Sequence, residues 1–213
     1  MIPLEVDGPE GAARTIVLAH GAGAPMDSPF LVYFARGLAA RGTRVVRFEF
    51  PYMRARRSGR RLPPDRPPVL SACWREVVSA LGGAERLVIG GKSLGGRIAS
   101  LVADEVSARA LVCLGYPFHP PGKPQALCVE HLRTLRTPTL IVQGARDPLG
   151  SREDVAAYSL SPAIRIHWIA DGDHSLKPRA RSGRTEAQNL AEALETIAEF
   201  VASGASHGTK GVL

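Results

Sequence analysis

The 213-residue chain carries 27 Lys and Arg against 20 Asp and Glu, a formal net charge of +7. Hydrophobic residues at 45% and charged residues at 22% exclude a disordered or fibrous chain and suit one domain with a substantial core. No apolar run approaches the ~20 residues of a membrane-spanning helix, so no membrane partner is expected.

Cys73, Cys113 and Cys128 are odd in number and show no C-x-x-C spacing. Cys113 lies inside an apolar run, as a reduced, buried thiol would. The first residues, Met1-Ile2-Pro3-Leu4-Glu5, have neither the basic start nor the apolar core of a secretory signal. A cytoplasmic setting is the expectation.

In chain order, Ile2 to Val6 suits a first edge strand. Thr15 to Ala19 is a short β-rich run without a polar face, as in a strand covered on both sides. Phe30 to Ala40 has helical spacing, and Arg44 to Phe50 is the next strand, stopped by Pro51. Arg54, Arg56, Arg57, Arg60, Arg61 and Arg66 then crowd a stretch that runs on through Pro67 and Pro68. No aromatic side chains interleave there to stack bases, which argues against nucleic acid. A solvated loop is the plain reading, with an acidic group on a substrate the sharper alternative.

A helix from Val69 to Leu81 precedes a strand at Leu87 to Ile89, and a second helix runs from Leu94 to Val106. Ala110 to Leu114, Thr139 to Val142 and Ile164 to Ile169 are strands. Helical segments are expected at Val129–Leu135, Arg152–Tyr158 and, amphipathically, Glu186–Val201. The alternation predicts an α/β fold, a mostly parallel sheet with helices on both faces. It forms a single domain over residues 1–202, with a flexible polar tail over 203–213.

Between the strand at 87–89 and the helix that follows, Gly91-Lys92-Ser93-Leu94-Gly95 fits G-x-S-x-G. The serine of that pattern sits on a tight strand-to-helix turn, where a Cβ at either flanking glycine would crowd the backbone. A phosphate-binding P-loop would need glycine at position 86, which is Arg86, and a dinucleotide fingerprint would need glycine at Lys92. No cofactor is therefore expected.

Ligand sites of parallel sheets gather at the carboxyl ends of the strands. Those ends deliver His20-Gly21-Ala22-Gly23-Ala24, then Ser93, then Gly144-Ala145-Arg146-Asp147-Pro148, then Asp171-Gly172-Asp173-His174. A serine hydroxyl needs a base to take its proton, and a carboxylate fixes the base's tautomer. Ser93, His174 and Asp147 supply that set. Backbone N–H groups of Leu94 and Ala22 would hold an oxyanion, and Gly23 and Lys92 are candidate substrate contacts. His20 is read as a structural hydrogen-bonder rather than the base. Glu49 and Asp104 are weaker carboxylate candidates because of where they sit. A metal held by Asp171, Asp173 and His174 is disfavoured, since its ligands would crowd one short loop.

On His20-Gly21-Ala22-Gly23, Gly91-Lys92-Ser93-Leu94-Gly95-Gly96, Gly144-Ala145-Arg146-Asp147 and Gly172-Asp173-His174, the chain resembles α/β-hydrolases, and among them the small, capless, dienelactone-hydrolase-like branch. The resemblance spans roughly Arg14 to Val201. It implies Ser93 as nucleophile, Asp147 as acid and His174 as base. Lys92 departs from the His or aromatic residue often found beside the nucleophile, and a lid is missing or reduced to Tyr116–Gln125. The expected activity is hydrolysis of small-molecule carboxylic esters or thioesters through an acyl-enzyme. The alternative is a non-catalytic interaction module on the same fold.

Overall fold

The computed structural model describes residues 2–60 and 62–203; the tail expected over 203–213 lies, but for Ser203, outside the described residues. Among the described residues, seven strands form one sheet: β1 (Leu4–Asp7), β2 (Thr15–Ala19), β3 (Arg44–Phe48), β4 (Leu87–Lys92), β5 (Ala110–Leu114), β6 (Thr139–Gly144) and β7 (Ile164–Ile169). Their order is β1-β3-β2-β4-β5-β6-β7. Only β1 runs antiparallel, pairing Leu4 with Phe48; the other neighbours are parallel. The central strands carry no polar face because both of their faces are covered.

Six helices among the described residues supply the cover: α1 (Pro29–Ala39), α2 (Pro51–Arg57), α3 (Pro67–Ala80), α4 (Leu94–Val102), α5 (Arg152–Val155) and α6 (Glu186–Ala202). On one face Trp74 of α3 and Ile98 and Ala99 of α4 pack on Val17, Phe48, Ile89 and Leu111. On the other, Phe34 and Leu38 of α1 and Leu194 and Ile197 of α6 cover Ile16, Leu18, Val88 and Val112. α1 and α6 meet closely at Gly37, where an added Cβ would lie 2.4 Å from a Leu194 methyl.

The chain leaves β2 toward β3 on one side and leaves β4 toward β5 on the other. A crevice therefore opens between the carboxyl ends of β2 and β4, as the winding of a parallel sheet requires. The His20 loop and Ser93 are brought there by topology alone.

Where the sequence shows an Arg/Pro-rich loop, the structure has the short helix α2 and the start of α3. Pro51 opens α2 and Pro67 opens α3, the helix position at which a missing N–H costs nothing. Two of the arginines are structural. Arg57 grips the buried Glu49 through Nε at 2.8 and 2.9 Å and reaches Asp27 at 2.8 Å. Arg56 donates to the carbonyls of Leu62 at 2.7 Å and Ala22 at 3.2 Å. The helical stretches expected near Arg152 and Val129 are shorter than their spacing suggests, a single turn closed by a Ser151–Asp154 capping box and a 3₁₀ turn at Glu130–Arg133.

Removing Arg57 leaves Glu49 buried against only the Met26 N–H. The Arg57→Met variant should lose about 2–4 kcal/mol of stability in urea unfolding, and adding Glu49→Gln should recover part of it.

Candidate active site

Ser93 caps the N-terminus of α4 at φ 50° and ψ −114°, a conformation that costs a residue with a side chain on the order of 1–3 kcal/mol. Close approach enforces it. A Cβ on Gly91 would fall 2.2 Å from the Ala19 carbonyl oxygen, and one on Gly95 would fall 2.5 Å from that atom and 2.7 Å from the His20 carbonyl oxygen. The two glycines let β2 and its loop lie directly against the turn. Ser93 N–H donates to the Leu114 carbonyl at 3.0 Å, tying the turn to β5 as well.

His174 Nε2 lies 2.9 Å from Ser93 Oγ, and its Nδ1 lies 2.8 Å from Asp147 Oδ2. Asp147 is fully buried, whereas the His174 side chain keeps 27% of its surface exposed. The carboxylate is supported on both oxygens: the Leu149 N–H reaches Oδ1 at 2.8 Å and Gln143 Nε2 reaches Oδ2 at 2.9 Å. Gln143, at the end of β6, also accepts the Tyr116 N–H at 2.7 Å and is wholly buried. Sequence reasoning assigned it no role. Its signal is an amide closing the apolar run Thr139–Val142.

The loop that carries His174 is braced by its own carboxylates. Asp171 pairs with Arg179 and Arg146, and hydrogen bonds from Arg179 hold its carboxyl at about 2. Asp173 accepts the N–H groups of Ser175 and Lys177 at 2.8 and 3.0 Å. Among the described residues no group of three or more His, Cys, Asp or Glu could hold a metal ion.

His20 is fully buried. Its Nδ1–H donates to the Gly21 carbonyl at 2.7 Å and its Nε2 accepts the Phe50 N–H at 3.1 Å. Burial lowers its pKa from the ordinary value, matching a neutral structural imidazole. Tyr52 Oη lies 3.3 and 3.2 Å from the carbonyls of Gly21 and Ala22. In a trans peptide the C=O and N–H point oppositely. Holding the Gly21 carbonyl toward His20 and Tyr52 therefore turns the Ala22 N–H away from them, and no acceptor among the described residues takes it. The Leu94 N–H opens α4, where no intrahelical partner exists. Glu49 is occupied by Arg57, and Asp104 by Thr137 and Arg136.

Ser93 and His174 open into a cleft of about 810 Å³. Its walls are the glycine loop with Ala22 and Gly23, the start of α1 with Phe30 and Tyr33, and the start of α6 with Glu186 and Leu190. The Lys92 side chain also lines it, with Nζ 5.3 Å from the Phe30 ring centre. Burial brings the Lys92 pKa down to about 8, against weaker opposing pulls from Asp147 and Asp173. Gly115 to Pro138, where a lid would be inserted, holds a single 3₁₀ turn.

A parallel sheet with a serine at its sharp strand-to-helix turn, hydrogen-bonded to a histidine and a buried aspartate from later strand ends, defines the class of α/β-hydrolases. A family model described as an alpha/beta hydrolase domain matches residues 12–202, and the chain belongs to that family. Solved structures similar in fold include a dienelactone hydrolase from Anabaena variabilis, at 22% identity and TM-score 0.70, over 94% of this chain and 90% of that one. Est1E from Butyrivibrio proteoclasticus, solved with ferulic acid, matches at 14% identity and TM-score 0.71 over 95% of both chains. An α/β serine hydrolase without a lid from Xanthomonas campestris matches at 19% identity and TM-score 0.64, over 94% and 86%.

Two outcomes check this geometry. Gly95→Ala should cost about 3 kcal/mol or more in urea unfolding, because the Cβ meets backbone that cannot give way. Lys92 binds its proton less tightly folded than unfolded, so its burial destabilises the fold at and below pH 8, and that penalty fades as pH rises from about 8 toward the ordinary 10.5. The Lys92→Met variant should accordingly gain stability over the wild type near neutral pH. The gain should shrink between pH 8 and 10.5 in unfolding measured across that range.

Proposed function

We propose that the protein is a serine hydrolase that cleaves carboxylic ester or thioester bonds of small substrates through an acyl-enzyme. The observation that carries this reading is the unbroken chain from Ser93 Oγ to His174 at 2.9 Å and from His174 to the buried Asp147 at 2.8 Å, opening into a cleft.

His174 takes the Ser93 proton as Oγ attacks the carbonyl carbon. Asp147 holds Nδ1–H and stabilises the imidazolium that forms. The negative charge that develops on the carbonyl oxygen is received by the Leu94 and Ala22 N–H groups, aided by the positive end of α4. The imidazolium then protonates the leaving alcohol or thiol. In the second half, His174 takes a proton from water, the hydroxide attacks the acyl carbon, and Ser93 leaves with its proton restored.

The cleft favours small, largely apolar substrates. Phe30, Tyr33 and Leu190 offer apolar surface, and Gly23 leaves the loop without a side chain where the substrate enters. A lone 3₁₀ turn over Gly115 to Pro138, where a lid would stand, disfavours long acyl chains, which need their length removed from water.

Turnover of p-nitrophenyl acetate, with fluorophosphonate labelling mapped by mass, tests the proposal. Ser93→Ala should abolish both while changing unfolding stability by no more than about 1 kcal/mol. Asp147→Asn should fold and lose about 10³- to 10⁴-fold in kcat. A folded wild type that neither turns over esters nor labels at Ser93 would refute the reading in favour of a non-catalytic module.

A further inference from the structure

Lys92 stands immediately before Ser93, yet its side chain reaches across to the other end of the candidate machinery. Nζ donates to the backbone carbonyl of His174. It occupies the space left by Gly115, which is itself at φ 63° after β5. A carbon at the Gly115 Cβ position would stand 2.7 Å from Lys92 Nζ, 2.7 Å from the His174 carbonyl oxygen and 3.4 Å from His174 Nδ1. The ammonium and the imidazole thus sit within about 6 Å of each other, in the range where charges and donors act directly. On its other side Nζ faces the Phe30 ring. The nucleophile's strand and the base's loop are therefore joined twice, once by the Ser93–His174 hydrogen bond and once by this lysine.

From this double connection we infer that Lys92 is a positioning residue, which fixes the main chain of His174 so that its ring spans Ser93 and Asp147. The inference rests on the serine-hydrolase reading above. The Ser93–His174 contact alone cannot hold the base, because Oγ leaves it when the acyl-enzyme forms; the lysine contact persists through both halves of the reaction. The arrangement also explains why a cation stands in a cleft of mainly apolar walls. Its stem passes Gly21 at ordinary contact distance, 3.4 Å from a carbon placed there, and its head is turned to the His174 loop. A neutral, shorter or aromatic side chain at 92 would leave the His174 carbonyl without that donor.

Lys92→Met keeps the length and removes the donor. With p-nitrophenyl acetate as substrate, kcat should fall about 10- to 100-fold, the scale expected when a reacting group is misplaced by a fraction of an ångström to an ångström. KM should stay within about twofold. Thermal stability at pH 7 should not fall. A lysine with a merely structural role would lower stability and activity together.

Rescue supplies the second arm. Lys92→Cys on a Cys128→Ser background, alkylated with 2-bromoethylamine and checked by mass, regains an amine of lysine length and should recover most of kcat. A kcat within twofold of wild type in Lys92→Met overturns the inference. So does a rise in KM at unchanged kcat, which would give Nζ to the substrate, or failure of the alkylated protein to recover. A folded wild type that neither turns over esters nor labels at Ser93 overturns the hydrolase reading and this inference together. A wild type whose turnover is lost in Ser93→Ala but indifferent to Lys92 overturns this inference alone.

Discussion

The contact on which the rest depends is backbone against backbone. The carbonyls of Ala19 and His20, at the end of β2, lie against Gly91 and Gly95, on either side of Ser93. Nothing larger than hydrogen fits at those positions. With the approach in place, the turn is pressed into its left-handed conformation, the hydroxyl stands clear of the sheet, and the glycine loop lies beside it. The energetic cost of Ser93 at φ 50° is spread over two covered faces of the sheet.

Around that contact, polar groups are supported in sequence from the inside outward. Asp147 has no exposure and takes two donors besides the imidazole, from Leu149 and Gln143. His174 is half-open, and Ser93 faces the cleft. Burying a carboxylate is tolerable only when both oxygens find donors, and here both do. The His174 loop is in turn stiffened by Asp171 and Asp173, which hold Arg179 and backbone N–H groups of the same loop.

What the sequence makes legible is what local pattern controls. Short apolar strands followed by glycine-rich or polar runs placed His20, Ser93, Asp147 and His174 at strand ends; in the structure His20 and Ser93 follow β2 and β4 at the crevice where the winding reverses, and Asp147 and His174 follow β6 and β7 on the same edge of the sheet. Pro51 misleads because proline both stops strands and opens helices, and only packing distinguishes the two. Arg57 reads as a solvated charge because its partner Glu49 lies eight residues away, just past β3, and is buried only by the packed fold. Gln143 and the reach of Lys92 were invisible for a different reason. Their contacts depend on three-dimensional proximity, in the second case across 82 positions of chain. Side-chain periodicity carries no information at that range.

The wall of the cleft formed by Glu186 and Leu190 belongs to the helix that also covers one face of the sheet. During synthesis Ser93 leaves the ribosome 81 residues ahead of its histidine, and that helix follows later still. For that interval the growing polypeptide has a serine without its histidine partner and an apolar sheet face without its cover. Exposed apolar surface of that kind favours aggregation until the last helix closes the fold.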